Sequence, residues 1–111
     1  MINNRIHQIQ FRVDGWNSNS LIKSFTDEGI DTQLTLRNFS TGGYDLFDLL
    51  LALTPTTITA FVGVLIAFVK RGKQVSITYD TGQVKHLEAK NYKVEELIKL
   101  VDGIKKVDVS N

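Results

Sequence analysis

Residues 54–72 read TPTTITAFVGVLIAFVKRG, and from Ala60 to Val69 no side chain is polar. A helix that is apolar all round must be surrounded by protein or lipid. Its ends are marked. Thr54 stands at an N-cap position and Pro55 at the first helical position, where a missing N–H costs nothing. Lys70 and Arg71 suit the negative end of the helix dipole, and Gly72 is a stop. Ile58, Thr59, Phe61, Val62, Val64, Ile66 and Val69 are weak helix formers, because branching or ring bulk restricts χ1. Burial has to supply the stability that local propensity does not.

A bilayer crossing is the competing interpretation. Fifteen residues at ~1.5 Å each cover ~22 Å, short of a ~30 Å hydrocarbon core. Extending back to Leu46 gives the length but puts Asp48 and Pro55 inside the span. A buried core helix is therefore the expectation, and a membrane-associated subunit anchored by residues 46–69 is the alternative.

Working outward on the C-terminal side, residues 74–80 (QVSITYD) alternate Val75, Ile77 and Tyr79 against Gln74, Ser76 and Thr78, a strand. Asp80-Thr81-Gly82 reads as a three-residue hairpin turn with Gly82 left-handed. The return strand is 83–90. That loop sets Lys85 opposite Ile77 and Leu87 opposite Val75, with Leu87 and Ala89 inward and Val84 and His86 outward. Asn91 caps a helix over 92–102, in which Val94, Leu97, Ile98 and Val101 form one apolar stripe. Residues 104–111 read as a frayed polar tail.

On the N-terminal side, residues 44–53 (YDLFDLLLAL) read as a second apolar helix, with Asp45 and Asp48 one turn apart on its wet face. Two carboxylates at that spacing suit a metal or acid–base chemistry, but no histidine or third carboxylate joins them. Before this helix come a strand over 32–38, a loop over 39–43 and a short helix over 21–28, capped by Ser20 and stopped by Gly29. Residues 6–13 alternate as a strand with Ile9, Phe11 and Val13 inward. Trp16, in the turn-rich stretch after Asp14-Gly15, is expected to pack as a lid on the core, with ligand stacking as the other use of a lone indole.

The sum is one domain over residues 1–111. It is an α+β two-layer sandwich, a four-stranded sheet packed by the central apolar helix and flanking helices. The 111 residues include no cysteine, which excludes disulfides and thiolate metal sites and fits a cytoplasmic protein. Met1-Ile2-Asn3-Asn4-Arg5 leads straight into polar alternation, so no signal peptide is expected. Net charge is +1. Residues 1–55 carry four basic and six acidic side chains and residues 56–111 nine and six, too mild a contrast to argue a nucleic-acid partner.

No catalytic motif is present. Gly42-Gly43 lacks a following Lys-Ser or Lys-Thr, and neither GxSxG nor HExxH occurs. On these strand readings His7 and His86 both face outward, without a base or ligand partner at useful spacing. Lys70, Arg71, Lys73 and Lys85 are the candidate binding residues, a basic rim suited to phosphate or nucleic acid if they converge. No aromatics interleave with them, so a solvated rim is the plainer interpretation. No enzyme, cofactor or metal is expected.

From Gly42 onward the order of features is familiar. Gly-Gly precedes YDLFDLLLAL, then AFVGVLIAFVKR ends in a basic pair, VSITYDTGQVKHLEA forms a hairpin, and VEELIKLV is an acidic-headed helix. The pattern resembles the small modules called effector-associated constant components, type one, of bacterial conflict systems. Thr54-Pro55-Thr56 stands where those modules often have a glycine-rich turn. The resemblance implies a non-enzymatic accessory module that acts through protein contacts with an effector and carries no catalytic residues. A protein partner is then expected, or a homo-oligomer through whatever part of the apolar helix stays bare.

Overall fold

Thr54 caps α2 (Pro55–Lys70), its hydroxyl oxygen accepting from the Thr57 N–H at 3.4 Å. The helix ends as expected. The Gly72 and Lys73 N–H groups donate to Val69 and Phe68 carbonyls, and Gly72 takes φ +87°, which a side chain disfavours. Ile58, Phe61, Val62, Val64, Leu65 and Phe68 are buried. At roughly 1.5–3 kcal/mol per buried side chain, this outweighs the poor propensity of the branched residues.

The computed structural model describes residues 6–34, 44–87 and 93–111, less the side chains of Trp16, Gln33 and Leu34. In chain order the remaining elements are β1 (Ile6–Asp14), α1 (Gly15–Asp27), β2 (Asp31–Leu34), β3 (Tyr44–Ala52), β4 (Gln74–Tyr79), β5 (Val84–His86), α3 (Val94–Asp102) and β6 (Ile104–Ser110). The strands form a six-stranded sheet in the order β2-β3-β1-β6-β4-β5. Among the described residues only the central β1–β6 pair is parallel. The α+β class holds, and the four-stranded sheet expected from the sequence becomes six-stranded. The expected strand beyond residue 34, the loop over 39–43, the Ala89 contact, the Asn91 cap and the packing of the Trp16 side chain lie outside the described residues.

Two segments account for the added strands. Residues 44–53 are not a helix. They are β3, paired along its length with β1 from Asp14↔Tyr44 to Ile6↔Ala52 and on its other side with β2. Phe47, Leu49 and Leu51 are fully buried on one face. Leu46, Asp48, Leu50 and Ala52 take the other face. Leucine favours helices intrinsically, and pairing between two strands overrides that preference. The expected tail is β6, next to the parallel centre. Ile104, Val107 and Val109 are buried. The pairing jumps from Thr78↔Lys106 to Tyr79↔Ile104, leaving Lys105 as a bulge. That extra residue breaks the alternation and gives the segment its polar look.

The first helix is longer than expected and is capped by Asp14 rather than Ser20. At its other end the Gly29 and Ile30 N–H groups donate to Thr26 and Phe25 carbonyls. The β4–β5 hairpin has the expected register, with Ile77↔Lys85 paired and Leu87 N–H donating to the Val75 carbonyl at 3.1 Å. Lys85 thus points to the helix side of an edge strand, a placement that discourages further strand addition. In α3 the expected stripe is present, with Leu97 and Val101 buried, although Val94 is exposed.

All three helices contribute to one hydrophobic cluster on a single face of the sheet. Its middle is four rings. Phe11 stacks on Phe47 at 5.1 Å and meets Phe25 edge-on at 5.4 Å, and Phe25 stacks on Phe61 at 5.7 Å. The opposite face of the sheet carries no helix among the described residues.

Candidate interaction surfaces

The four basic residues singled out from sequence do not form one site. Lys70 and Arg71 are exposed at the end of α2, with the Arg71 guanidinium 5.1 Å from the Phe68 ring centre. Lys73, just before β4, donates to Asn111 Oδ1 at 2.7 Å. Lys85 lies elsewhere, its ammonium 5.4 Å from the ring centre of Tyr79, at the far end of β4. Five residues of strand at ~3.3 Å each separate the two ends by ~17 Å. Asp45 and Asp48 also part. Strand alternation sends them to opposite faces, and Asp45 accepts from Ser18 Oγ at 2.6 Å. His7 shares the inward face of Ile9, contrary to the outward placement expected, and its Nε2 donates to the Ile104 carbonyl at 2.6 Å.

The helix-free sheet face is built by strand alternation. Ile6, Leu46 and Val84 are 60%, 40% and 61% exposed on it, and among the other described large hydrophobic residues only Val94 reaches a similar exposure. One cross-strand row runs Leu46–Arg12–Asp108–Ser76–His86. Arg12 reaches both neighbours, its guanidinium 3.9 Å from the Tyr44 ring centre and 3.9 Å from Asp108 Oδ1. Lys106 also stands 3.9 Å from that oxygen, which is buried and accepts no hydrogen bond from the described residues.

The same row holds a serine, a histidine and an aspartate, with Ser76 Oγ 3.4 Å from His86 Nδ1. Their order rules out a nucleophile–base–acid relay. Ser76 is in the middle, so Asp108 and His86 sit two strands apart, ~10 Å at ordinary strand spacing. An acid that orients the base must touch it.

The second surface lies on the helix layer. Ten residues without a polar side chain suggested that α2 is enclosed on all sides, and it is not. Thr56, Thr59, Gly63 and Lys70 are exposed on one stripe, and Ala60, Ile66 and Ala67 are half-buried beside it. Small side chains leave a groove of about 330 Å³ between α2 and α1, floored by Ala60, Gly63, Val64, Ala67 and Phe68 and edged by Ser24, Asp27, Glu28 and Arg71. Sequence reasoning missed this groove because it scored the run by polarity alone. The spacing of Ala60, Gly63 and Ala67, small residues on one helical face, was the available signal.

Among the described residues no helix is long and apolar enough to cross a membrane. The run over 46–69 that supplied the length is divided between β3 and α2. No protein-family model matches the chain, and no curated protein or solved structure is found similar to it.

Proposed function

We propose that this chain is a non-enzymatic protein-interaction module, accessory to an effector of a bacterial defence or conflict system, and that it docks that effector with its helix-free sheet face. The observation carrying this reading is the placement of Ile6, Leu46 and Val84 on that one face. The three stand ~20 Å apart, apolar positions spread over one broad face that a partner of ordinary interface size would span. Arg12, Lys106 and Asp108 supply charges of both signs around the apolar positions, which orient a partner and select against wrong ones.

The test uses the protein encoded by a neighbouring effector gene, co-expressed with this chain and measured by titration calorimetry. Leu46→Arg is expected to leave the circular dichroism spectrum unchanged, because the residue projects outward from β3. It should weaken the complex by at least about tenfold, ~1.4 kcal/mol, by placing a charge in the contact. Binding indifferent to Leu46→Arg, or a gene neighbourhood of metabolic enzymes alone, would sink this reading.

A further inference from the structure

We infer that the α1–α2 groove is closed by a second copy of this chain, in a two-fold dimer with α2 antiparallel to its counterpart and Gly63 at the axis. The groove lies on the helix layer, away from the sheet face assigned to the effector, and the inference does not rest on that assignment.

The first ground is Gly63. It sits mid-helix, where glycine is less favourable than alanine. A Cβ added there meets nothing within 4 Å, and its φ is not positive. Nothing among the described residues therefore requires a glycine there. Close approach of a second helix would require it, because small residues at the crossing let two backbones come near.

The second ground is charge. α1 descends from Asp14, at the sheet end holding Tyr44 and Ser110, and α2 climbs back from Thr54 toward that end, so the two helices are antiparallel. Phe25 stacks on Phe61 and fixes their level. Asp27, paired with Lys23 at 3.1 Å, and Glu28 consequently edge the groove toward the start of α2, and Arg71 edges it at the finish, so Glu28 is the acid on which the contact to Arg71 depends. A two-fold axis through Gly63 brings each basic end to the partner's acidic end. The groove is complementary to itself, as an isologous interface must be.

The third ground is size. About an axis at residue 63, Ile66 of one helix falls against Ala60 of its counterpart and Thr59 against Ala67. On either side of the Gly63 crossing larger side chains oppose smaller ones, which is how interdigitated helices fill space.

Sedimentation velocity on the wild-type chain, from about 1 µM to about 1 mM, is expected to show a concentration-dependent dimer within ordinary interface affinities. Gly63→Phe should leave the fold intact, since the added ring enters open space, and raise the dissociation constant by at least about tenfold. Gly63→Ala should stabilise the dilute monomer roughly two- to fivefold in its folding constant while weakening the dimer, two effects of opposite sign that a merely structural glycine does not produce. Glu28→Arg and Arg71→Glu should each weaken association, and the two together in one chain should restore it. A chain monomeric over the whole range overturns the inference. So does a dimer unaffected by Gly63→Phe and by both reversals. Protection of the groove only on adding the effector also overturns it, by giving the groove a different occupant.

Discussion

Phe11→Ala is expected to lower the unfolding free energy by about 3–5 kcal/mol, the range for removing a buried ring. Phe11 is fully buried on β1 and touches the ring network from both layers, packing on Phe47 of β3, Phe25 of α1 and, at 6.3 Å, Phe61 of α2. Its loss leaves a cavity that the paired strands on either side cannot close, since β1 is held by β3 and β6. Aromatic contacts add roughly 0.5–1.5 kcal/mol per pair beyond area. Against a total stability of about 5–15 kcal/mol, the variant should stand near the edge of folding at ambient temperature. Urea unfolding measures this. With a slope of ~1–3 kcal/mol per molar, the midpoint should fall by roughly 2 M. Phe11→Leu, which keeps most of the volume, should lose much less. A loss below about 1 kcal/mol for the alanine variant would show that the ring is not central to the core.

Asp14→Ala carries the second large effect, for a different reason. The carboxylate accepts from the Asn17 N–H at 3.1 Å, from Asn17 Nδ2 at 2.9 Å and from the Asn111 N–H at 3.1 Å. It therefore caps α1 and pins the end of β6 beside β1. Cap loss alone costs ~0.5–2 kcal/mol. Hydrogen bonds to a charged group contribute ~1.5–3 kcal/mol each, and they are not additive within one network. Asn17 is 5% exposed, so its amide loses an acceptor in a place water reaches poorly. A total of about 2–4 kcal/mol is expected. Asp14→Asn should recover most of the cap and only part of the remainder. Amide hydrogen exchange at Asn17 and at Asn111 separates the two roles. The alanine variant should lose protection at both, and unchanged protection at Asn111 would remove the proposed tie between α1 and β6.

Some elements were legible because a local rule sufficed. The ends of α2 follow from Thr54-Pro55 and Lys70-Arg71-Gly72, and the hairpin register follows from Asp80-Thr81-Gly82 between two alternating segments. Each depends on a few adjacent residues satisfying their own backbone groups. The segment YDLFDLLLA was illegible for the opposite reason. Leucine-rich and carrying Asp45 and Asp48 three apart, it fits a helix as well as a strand until β1 and β2 are placed beside it. IKKVDVS was hidden by one bulged lysine. Its partner strands begin 30 and 98 residues earlier, at Gln74 and Ile6.

The candidate surfaces divide in the same way. Lys70, Arg71 and Lys73 are neighbours in sequence and stay near one another, whereas Lys85 is carried away along β4. Gly63 reads from sequence as one more apolar position. Its meaning depends on the open space beside it, which exists only once α1 and α3 have taken their places. The chain by itself fixed the α+β class, the central helix and its termini, and the β4–β5 turn, because backbone satisfaction and periodicity act over a few residues. The tertiary fold alone decided that the described residues form six strands, which side of the sheet they leave without helices, and where α2 stays uncovered. Those outcomes depend on pairing between distant segments, and strand pairing is a contest among partners that no local window contains.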